Sequence, residues 1–202
     1  GRAQSLGTTL ALVEFTFYDH MGVLAERAGE LLVCDSWPSF HPLVKAEDFA
    51  DRFRGGARGT PLGRFLAHYE TLLVVRLPDA GRNARLAELA LASLEEEIAY
   101  DPHHDPADPR LSCSEYVQWL LERAGYEPPS VPRAASGDPE LGAVLDALGF
   151  PARGFFVPDQ FGALPGARTV GWISAHRSRA GALAIESAFA LLHARFLAGD
   201  RV

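Results

Sequence analysis

The first part of the chain has the residue pattern of β-strands. A run rich in Thr, Val, Leu and Phe covers residues 8–17, and two shorter apolar runs cover residues 20–26 and 30–35. Ala28 and Gly29 separate the two shorter runs, and a small residue followed by glycine predicts a tight turn between paired strands. We therefore expect these two runs to form a hairpin.

A short helix, a loop and an apolar strand are predicted after the hairpin. Trp37 and Pro38 are expected to end its second strand. Residues 45–54 have the apolar spacing of a short amphipathic helix, and the glycines and proline within residues 55–61 predict a loop. The continuous apolar run at residues 70–77 predicts a strand that is buried on both faces.

The second half of the chain has the pattern of helices. Residues 82–99 carry apolar side chains at helical spacing, whereas three prolines exclude regular structure from residues 100–110. A helix is predicted from Cys113 to Ala124, ended by Gly125. The remaining predicted elements are a Pro/Ser-rich connection at 127–137, a helix near 139–148, strands near 154–157 and 168–174, and an Ala-rich helix at about 178–198. Strands and helices without regular βαβ alternation indicate an α+β fold.

Composition is consistent with a single domain over residues 1–202. Of the 202 residues 48% are hydrophobic, which suits a single core. The formal net charge of -7 argues against nucleic acid or anionic lipid as a partner. No apolar run approaches the roughly 20 residues that span a bilayer, so no stable membrane insertion is expected. Because the chain begins with Gly1, a leader could have been removed. The expected compartment is then the bacterial envelope or periplasm, and otherwise the cytoplasm.

Residues 112–115 place a cysteine at a helix start. Ser112 followed three residues later by Glu115 is a capping box, so Cys113 is the first helical residue. The free N–H groups and partial positive charge of a helix N-terminus favour thiolate over thiol, and they can also hold a developing oxyanion. Taken alone, the motif fits a small buried hydrophobe equally well. The other cysteine, Cys34, is expected to be a buried free thiol.

A cysteine nucleophile needs a base, and the base needs an orienting group. Among the seven histidines, His20 heads a predicted strand, and Asp35 lies at the far end of the partner strand. Paired strands lie about 4.8 Å apart. A carboxylate at Asp35 is therefore within plausible reach of the His20 imidazole.

A second polar cluster could indicate a metal site. It comprises His103 and His104 with Asp101 and Asp105. Adjacent histidines rarely face one ion, and no further ligand cluster completes the set. We favour a solvated loop with both histidines exposed, and we expect no metal or cofactor.

In their order and spacing, these motifs resemble those of the permuted NlpC/P60 group of papain-like proteins, specifically the YiiX/YebB-like, or YaeF-like, amidase-type hydrolases. The matching pieces, within about residues 10–172, are His20-Met21-Gly22-Val23, Asp35-Ser36, Phe49 and Phe53, Val74-Val75-Arg76, Tyr100-Asp101, Cys113-Ser114-Glu115 and Val157-Pro158-Asp159. The chain departs from the family at Asp35, where glutamate is commoner. It also lacks the Gly-Asp that often opens the family domain, and its C-terminal helix has no counterpart.

The resemblance implies a circularly permuted papain-like fold, with the histidine strand before the cysteine helix and an antiparallel sheet packed against helices. It implies acyl-group hydrolysis through a thioester, with Cys113 as nucleophile, His20 as general base and acid, and Asp35 as orienting group. The Cys113 N–H is an expected oxyanion donor. The residues expected to contact substrate are Tyr100, Ser112 and Ser114.

The substrate class stays broad at this point. A small acylated or peptide-like molecule fits, whether a cell-wall peptide, an N-acyl amine or a lipid. One alternative is a thiol acyltransferase acting on lipid, because lecithin:retinol acyltransferase-like enzymes resemble the same architecture. The other is a catalytically silent binding domain of the same fold.

Overall fold

The computed structural model describes residues 20–40, 53–67, 71–105, 107–129, 156, 158–162 and 164–174. Antiparallel strands and helices are mixed in these ranges, which confirms the predicted α+β class. The elements are β1 (Val23–Arg27), β2 (Glu30–Phe40), β3 (Phe53–Pro61), α1 (Leu62–Phe65), β4 (Thr71–Arg76), α2 (Ala80–Ala92), a 3-10 turn (Ser93–Glu95), α3 (Cys113–Arg123), α4 (Pro158–Gly162) and β5 (Arg168–Ser174).

The described strands form two antiparallel sheets. One has the order β1-β2-β3, and the other pairs β4 with β5. The predicted hairpin is confirmed, with Val23 of β1 opposite Cys34 of β2, but its first strand begins at Val23, so that His20 lies just before the strand and not at its head. Its turn residues, Ala28 and Gly29, have φ values of 53° and 83°, the left-handed conformation that a tight hairpin turn requires.

Two predictions for the region after the hairpin are wrong. β2 does not end at Trp37 and Pro38 but continues to Phe40, paired with β3. Beyond Cys34, β2 has a described neighbour on one side only, and proline is tolerated at such an edge. Residues 55–61 belong to β3 and not to a loop. The helix predicted over 45–54 does not extend to its last two residues, which also lie in β3, and its earlier residues lie outside the described ranges.

Glycines in β3 mark a close backbone approach. A Cβ on Gly56 would lie 1.7 Å from the Ile98 carbonyl oxygen, so only glycine fits there. The N–H of Ala57 donates to that carbonyl at 3.0 Å, and the N–H of Tyr100 donates to the Gly55 carbonyl at 3.1 Å. The glycine-rich segment therefore seats the chain around Tyr100 against the sheet.

The strand at β4 and the long helix α2 are confirmed, with two differences. Residues 72–75 of β4 are half-buried and not buried on both faces, because they border the cleft described below. The helical pattern of residues 82–99 extends only to Ala92, after which a 3-10 turn follows. The buried residues of α2 are Leu86, Leu89 and Ala90, as its apolar spacing predicts.

Helix α3 matches its prediction most closely. The Ser112 hydroxyl accepts a hydrogen bond from the Glu115 N–H, and the Glu115 carboxylate accepts one from the Ser112 N–H. Both halves of the capping box are thus present. Tyr116, Val117, Leu120 and Leu121 form the buried face, and Gly125 follows the helix with a φ of 83°. α3 packs against α2 and β2, and α2 also packs against β1.

The predicted strand at 168–174 is confirmed as β5. Of the predicted strand at 154–157, only Phe156 is described, and it lies outside any strand. The predicted strand at 8–17, the helix at 139–148 and the C-terminal helix at 178–198 lie outside the described residues. The short helices α1 and α4 were not anticipated, and the single-domain organisation stays a prediction. Within the described ranges, none of the helices combines the length and apolar character that crossing a membrane requires.

Candidate active site

The β1–β2 hairpin places His20 beside Asp35. The His20 Nε2 lies 2.6 Å from the Asp35 Oδ2. The two side chains are 5% and 0% exposed, respectively. A buried carboxylate at this distance fixes the orientation of the imidazole through a strong hydrogen bond. The contact expected from pairing the two strands is therefore present.

Gly22 allows this close approach. A Cβ at Gly22 would lie 2.7 Å from the Cys34 carbonyl oxygen and 3.1 Å from the Asp35 Cβ. Any larger residue would push the segment that carries His20 away from β2. The sequence motif around His20 therefore includes a glycine for a steric reason.

Cys113 contacts the same imidazole from α3. Cys113 is 5% exposed, and its side chain forms a hydrogen bond with His20. Burial lowers the pKa of His20, but the negative charge of the Cys113 thiolate and hydrogen bonds to Asp35 and Cys113 outweigh it and raise that pKa to about 9. At neutral pH the His20 imidazole therefore holds its proton beside the Cys113 sulfur, the arrangement that activates a cysteine nucleophile.

Ser36 fixes the start of α3 relative to β2. Its hydroxyl donates a 2.6 Å hydrogen bond to the Leu111 carbonyl, and the Leu111 N–H donates to the Ala99 carbonyl at 3.0 Å. Ser36 directly follows Asp35, and Leu111 lies two residues before Cys113. This one contact therefore links the strand of the carboxylate to the helix of the thiol.

Arg58 of β3 contacts the second oxygen of Asp35. Its Nε donates to the Asp35 Oδ1 at 3.1 Å, and its guanidinium lies 3.8 Å from the ring centroid of Trp37. The Trp37 ring in turn meets the His20 ring edge-on, with 5.1 Å between centroids. Sequence reasoning missed both residues, because it ended the strand at Trp37 and assigned the region of Arg58 to a loop.

The three residues expected to contact substrate lie around the thiol. Tyr100 is half-buried, and burial raises its pKa well above its ordinary value, with the negative charge of Cys113 adding to the shift. Ser112 is the helix cap, and the Ser114 hydroxyl donates to the Phe156 carbonyl at 2.8 Å. Both hydroxyls thus hold α3 in place, and their contact with a substrate stays a prediction.

The expectation of an exposed histidine pair is wrong, because His104 is only 8% exposed and His103 is half-buried. The buried Asp101 turns the loop inward, since its carboxylate accepts hydrogen bonds from the N–H groups of His103 and Asp105 at 2.8 and 2.6 Å. Burial lowers the pKa of His104 to about 4, and the charge of His103 adds to this. Among the described residues, no three His, Cys, Asp or Glu side chains stand together as a metal-binding group.

A largely apolar cleft opens beside His20. Its volume is about 660 Å³. It lies where β4 faces α2, α3 and α4, and Arg76 and Asn83 are polar groups in its lining. Its apolar walls include Met21, Val33, Phe65, Leu73, Leu86 and Val117. The cleft gives the imidazole access to a hydrophobic binding space.

No family model and no curated protein matches this chain. Among solved structures, the crystal structure of the metalloprotein YiiX from Escherichia coli O157:H7, of the DUF1105 family, is similar to it. The two have a TM-score of 0.59 and 21% sequence identity, and the match covers 83% of this chain and 90% of that chain. At this identity, the likeness establishes a common fold.

Proposed function

We propose that this protein is a YiiX-like cysteine hydrolase of the amidase, peptidase or esterase type, with a circularly permuted papain-like fold. The proposal rests on one observation: Asp35 from β2 and Cys113 from α3 both contact the buried His20 imidazole. Two observations support the fold part of the proposal: the common fold with YiiX, and the chain order, in which His20 just before β1 precedes Cys113 at the start of α3.

In the acylation step, the Cys113 thiolate attacks the carbonyl carbon of an amide or ester. A C–S bond forms and the carbonyl electrons move to oxygen. The N–H of Cys113 can donate to that oxyanion, because the first turn of a helix leaves its N–H groups without intrahelical acceptors. The His20 imidazolium then gives its proton to the leaving amine or alcohol as the tetrahedral intermediate collapses to a thioester.

In the deacylation step, His20 is neutral and takes a proton from water. The resulting hydroxide attacks the thioester carbonyl, the C–S bond breaks, and the carboxylic acid leaves. The proton that His20 gained regenerates the thiolate–imidazolium pair. Asp35 keeps the imidazole in one orientation through both steps, as the third member of such triads does.

The cleft beside His20 favours a substrate that carries an apolar acyl group. Its lining offers hydrophobic side chains over about 660 Å³, which suits the chain of an acylated small molecule better than a charged peptide. The same cleft also favours the second candidate function, a thiol acyltransferase. In that reaction, an amine or alcohol takes the place of water at the thioester.

YiiX is described as a metalloprotein, so a metal-dependent alternative is tested alongside. In this chain the carboxylate of Asp101, the centre of the polar loop, already accepts two backbone hydrogen bonds. These hydrogen bonds give Asp101 a structural role in the loop that does not require a metal ion. Elemental analysis of the purified protein gives the independent answer.

The test is a screen of acyl esters and N-acyl amines of increasing chain length, with free acid as the measured product. We expect turnover to be lost in Cys113→Ala, which removes the proposed nucleophile, and to be kept in Cys34→Ala. Cys34→Ala is the matched control, because it also removes one buried thiol. Acyl transfer to an added amine without release of free acid would identify the acyltransferase. A Cys113 thiol that iodoacetamide labels no faster than an ordinary thiol would identify a silent binding domain.

A further inference from the structure

Asp35 is a fully buried carboxylate with its two oxygens assigned to different partners. Oδ2 lies 2.6 Å from the His20 Nε2, and Oδ1 accepts a hydrogen bond from the Arg58 Nε at 3.1 Å. The side chain is 0% exposed, so bulk water makes no hydrogen bonds to it and protein groups alone set its orientation. A buried carboxylate held at one oxygen can rotate, whereas one held at both has a single orientation.

Arg58 is itself held in place. Its guanidinium stacks on the Trp37 ring at 3.8 Å, and its side chain is 35% exposed. In the β2–β3 register, Arg58 lies directly opposite Asp35. The Nε, which is the atom nearest the backbone in the guanidinium, makes the contact.

We infer that Arg58 is a positioning residue of the candidate active site, which holds Oδ1 of Asp35 so that Oδ2 points at the His20 imidazole. This rests on the proposed function, because it assigns Arg58 to the Cys113–His20–Asp35 set. The other ionisable groups that face Asp35 among the described residues are Cys34, Tyr116 and, across His20, Cys113. Within the part of the chain that the structure describes, Arg58 and His20 are the basic side chains in ion-pair contact with Asp35.

Two physical roles for Arg58 predict opposite results. As a mere positive charge near the imidazole, Arg58 would disfavour the imidazolium, so its removal would raise the His20 titration midpoint. As a positioning residue, it makes Asp35 an effective partner of the imidazolium, so its removal would lower that midpoint.

The experiment compares Arg58→Met with Arg58→Gln. Methionine fills the space up to the Nε position without a donor, whereas glutamine places an N–H donor at that position without the charge. The readouts are the His20 ring titration by NMR, assigned with His20→Ala, and the pH dependence of Cys113 alkylation in a Cys34→Ala background. Arg85→Met is the control, because the Arg85 side chain is 58% exposed and pairs only with Glu88 among the described ion pairs.

We expect Arg58→Met to lower the His20 midpoint by about one pH unit and to slow neutral-pH alkylation about tenfold, the loss of one hydrogen bond to a charged group. The rate of Cys113 alkylation in Arg58→Gln should stay within about threefold of the parent rate, and the rate in Arg85→Met should equal the parent rate. An unchanged or raised midpoint in Arg58→Met overturns the inference, as does a glutamine variant no better than methionine.

Two further outcomes separate the inference from the proposed function. If His20→Ala leaves Cys113 alkylation unchanged, the proposed function itself fails. If His20→Ala slows alkylation but Arg58→Met does not, only the role of Arg58 is wrong. Should Arg58→Met fail to fold, Arg58→Lys replaces it: lysine keeps the charge but puts carbon at the Nε position. If Arg58 is a positioning residue, Arg58→Lys should lower the His20 midpoint and slow Cys113 alkylation more than Arg58→Gln does. The reverse order overturns the inference.

Discussion

The hydroxyl of Ser36 donates a 2.6 Å hydrogen bond to the carbonyl of Leu111, which lies 75 residues later in the chain. Ser36 follows Asp35 and is fully buried, and Leu111 leads into the capped start of α3. This side-chain contact between a strand and a helix N-terminus therefore helps to set the distance between the carboxylate and the thiol.

The first prediction follows from that contact. Ser36→Ala should cost about 1–3 kcal/mol of unfolding free energy, because it removes a buried hydrogen bond and leaves the Leu111 carbonyl unsatisfied. It should also slow Cys113 alkylation, since the start of α3 loses one of the contacts that position it relative to β2. Denaturant unfolding and iodoacetamide kinetics measure the two effects.

Ser93→Ala is the matched control for Ser36→Ala. Ser93 is also fully buried, and its hydroxyl donates to the Ala90 carbonyl at 2.8 Å and contacts the Tyr116 hydroxyl at 2.7 Å. It should lose similar stability with little change in Cys113 alkylation. Equal slowing in both variants would show that alkylation reports general loosening and not the Ser36 contact.

The second prediction concerns the two thiols. Cys34 is 0% exposed, and burial raises its pKa to about 11, with the charge of Asp35 adding to this. Cys113 is 5% exposed at a helix start and bonded to His20. Brief alkylation at neutral pH should therefore label Cys113 first, as mass spectrometry of the peptides would show. Preferential labelling of Cys34 would contradict the assignment of the nucleophile.

The third prediction concerns the reciprocal effect of the thiol on the imidazole. Two of the causes that raise the pKa of His20 to about 9 come from Cys113: its negative charge and its hydrogen bond. Cys113→Ala removes both, so burial weighs more heavily and the His20 pKa should fall by about one unit or more. NMR titration of the ring tests this, with Cys34→Ala as control. A His20 midpoint that stays near the parent value in Cys113→Ala would mean that the two side chains do not interact.

Local sequence signals predicted the parts of the site that local contacts build. The turn at Ala28-Gly29 predicted the hairpin and so the neighbours His20 and Asp35. The spacing of Ser112 and Glu115 predicted the capped helix that presents Cys113. In each of these cases, the residues that form the hydrogen bond are a few positions apart or belong to, or directly precede, two strands joined by a tight turn.

The residues that sequence reasoning missed depend on long-range pairing. Arg58 contacts Asp35 only through the β2–β3 register, and glycines that signal a loop in isolation here allow another segment to approach. His104 was expected to be exposed, but hydrogen bonds to Asp101 turn its loop inward. The first two outcomes depend on tertiary contacts, which residue type and spacing do not specify, whereas the loop of His104 is turned by short-range hydrogen bonds to the Asp101 carboxylate.

The last prediction concerns Glu115, the capping carboxylate two residues after the thiol. Glu115 is buried, with 7% of its surface exposed. Burial raises the pKa of Glu115 to about 7 although the Ser112 side chain and N–H lower it, and the charges of Asp101 and Asp105 raise it further. Its Oε1 is buried without a hydrogen-bond partner among the described residues. The folded protein therefore holds this proton at a pH where the unfolded chain has lost it.

The sign of the pH effect follows from this difference. Stability from the protonated Glu115 is complete below an unfolded pKa of about 4.5 and is lost as the pH rises toward the folded value near 7. Glu115→Gln stays neutral, and its amide oxygen can still accept from the Ser112 N–H. Relative to the parent, the variant should therefore gain unfolding free energy between about pH 5 and pH 8, by up to about 3 kcal/mol. Glu122→Gln on the same helix, where Glu122 is exposed, is the control and should show little such gain. If the two variants follow the same pH dependence in denaturant unfolding, the burial of Glu115 is not what perturbs its proton.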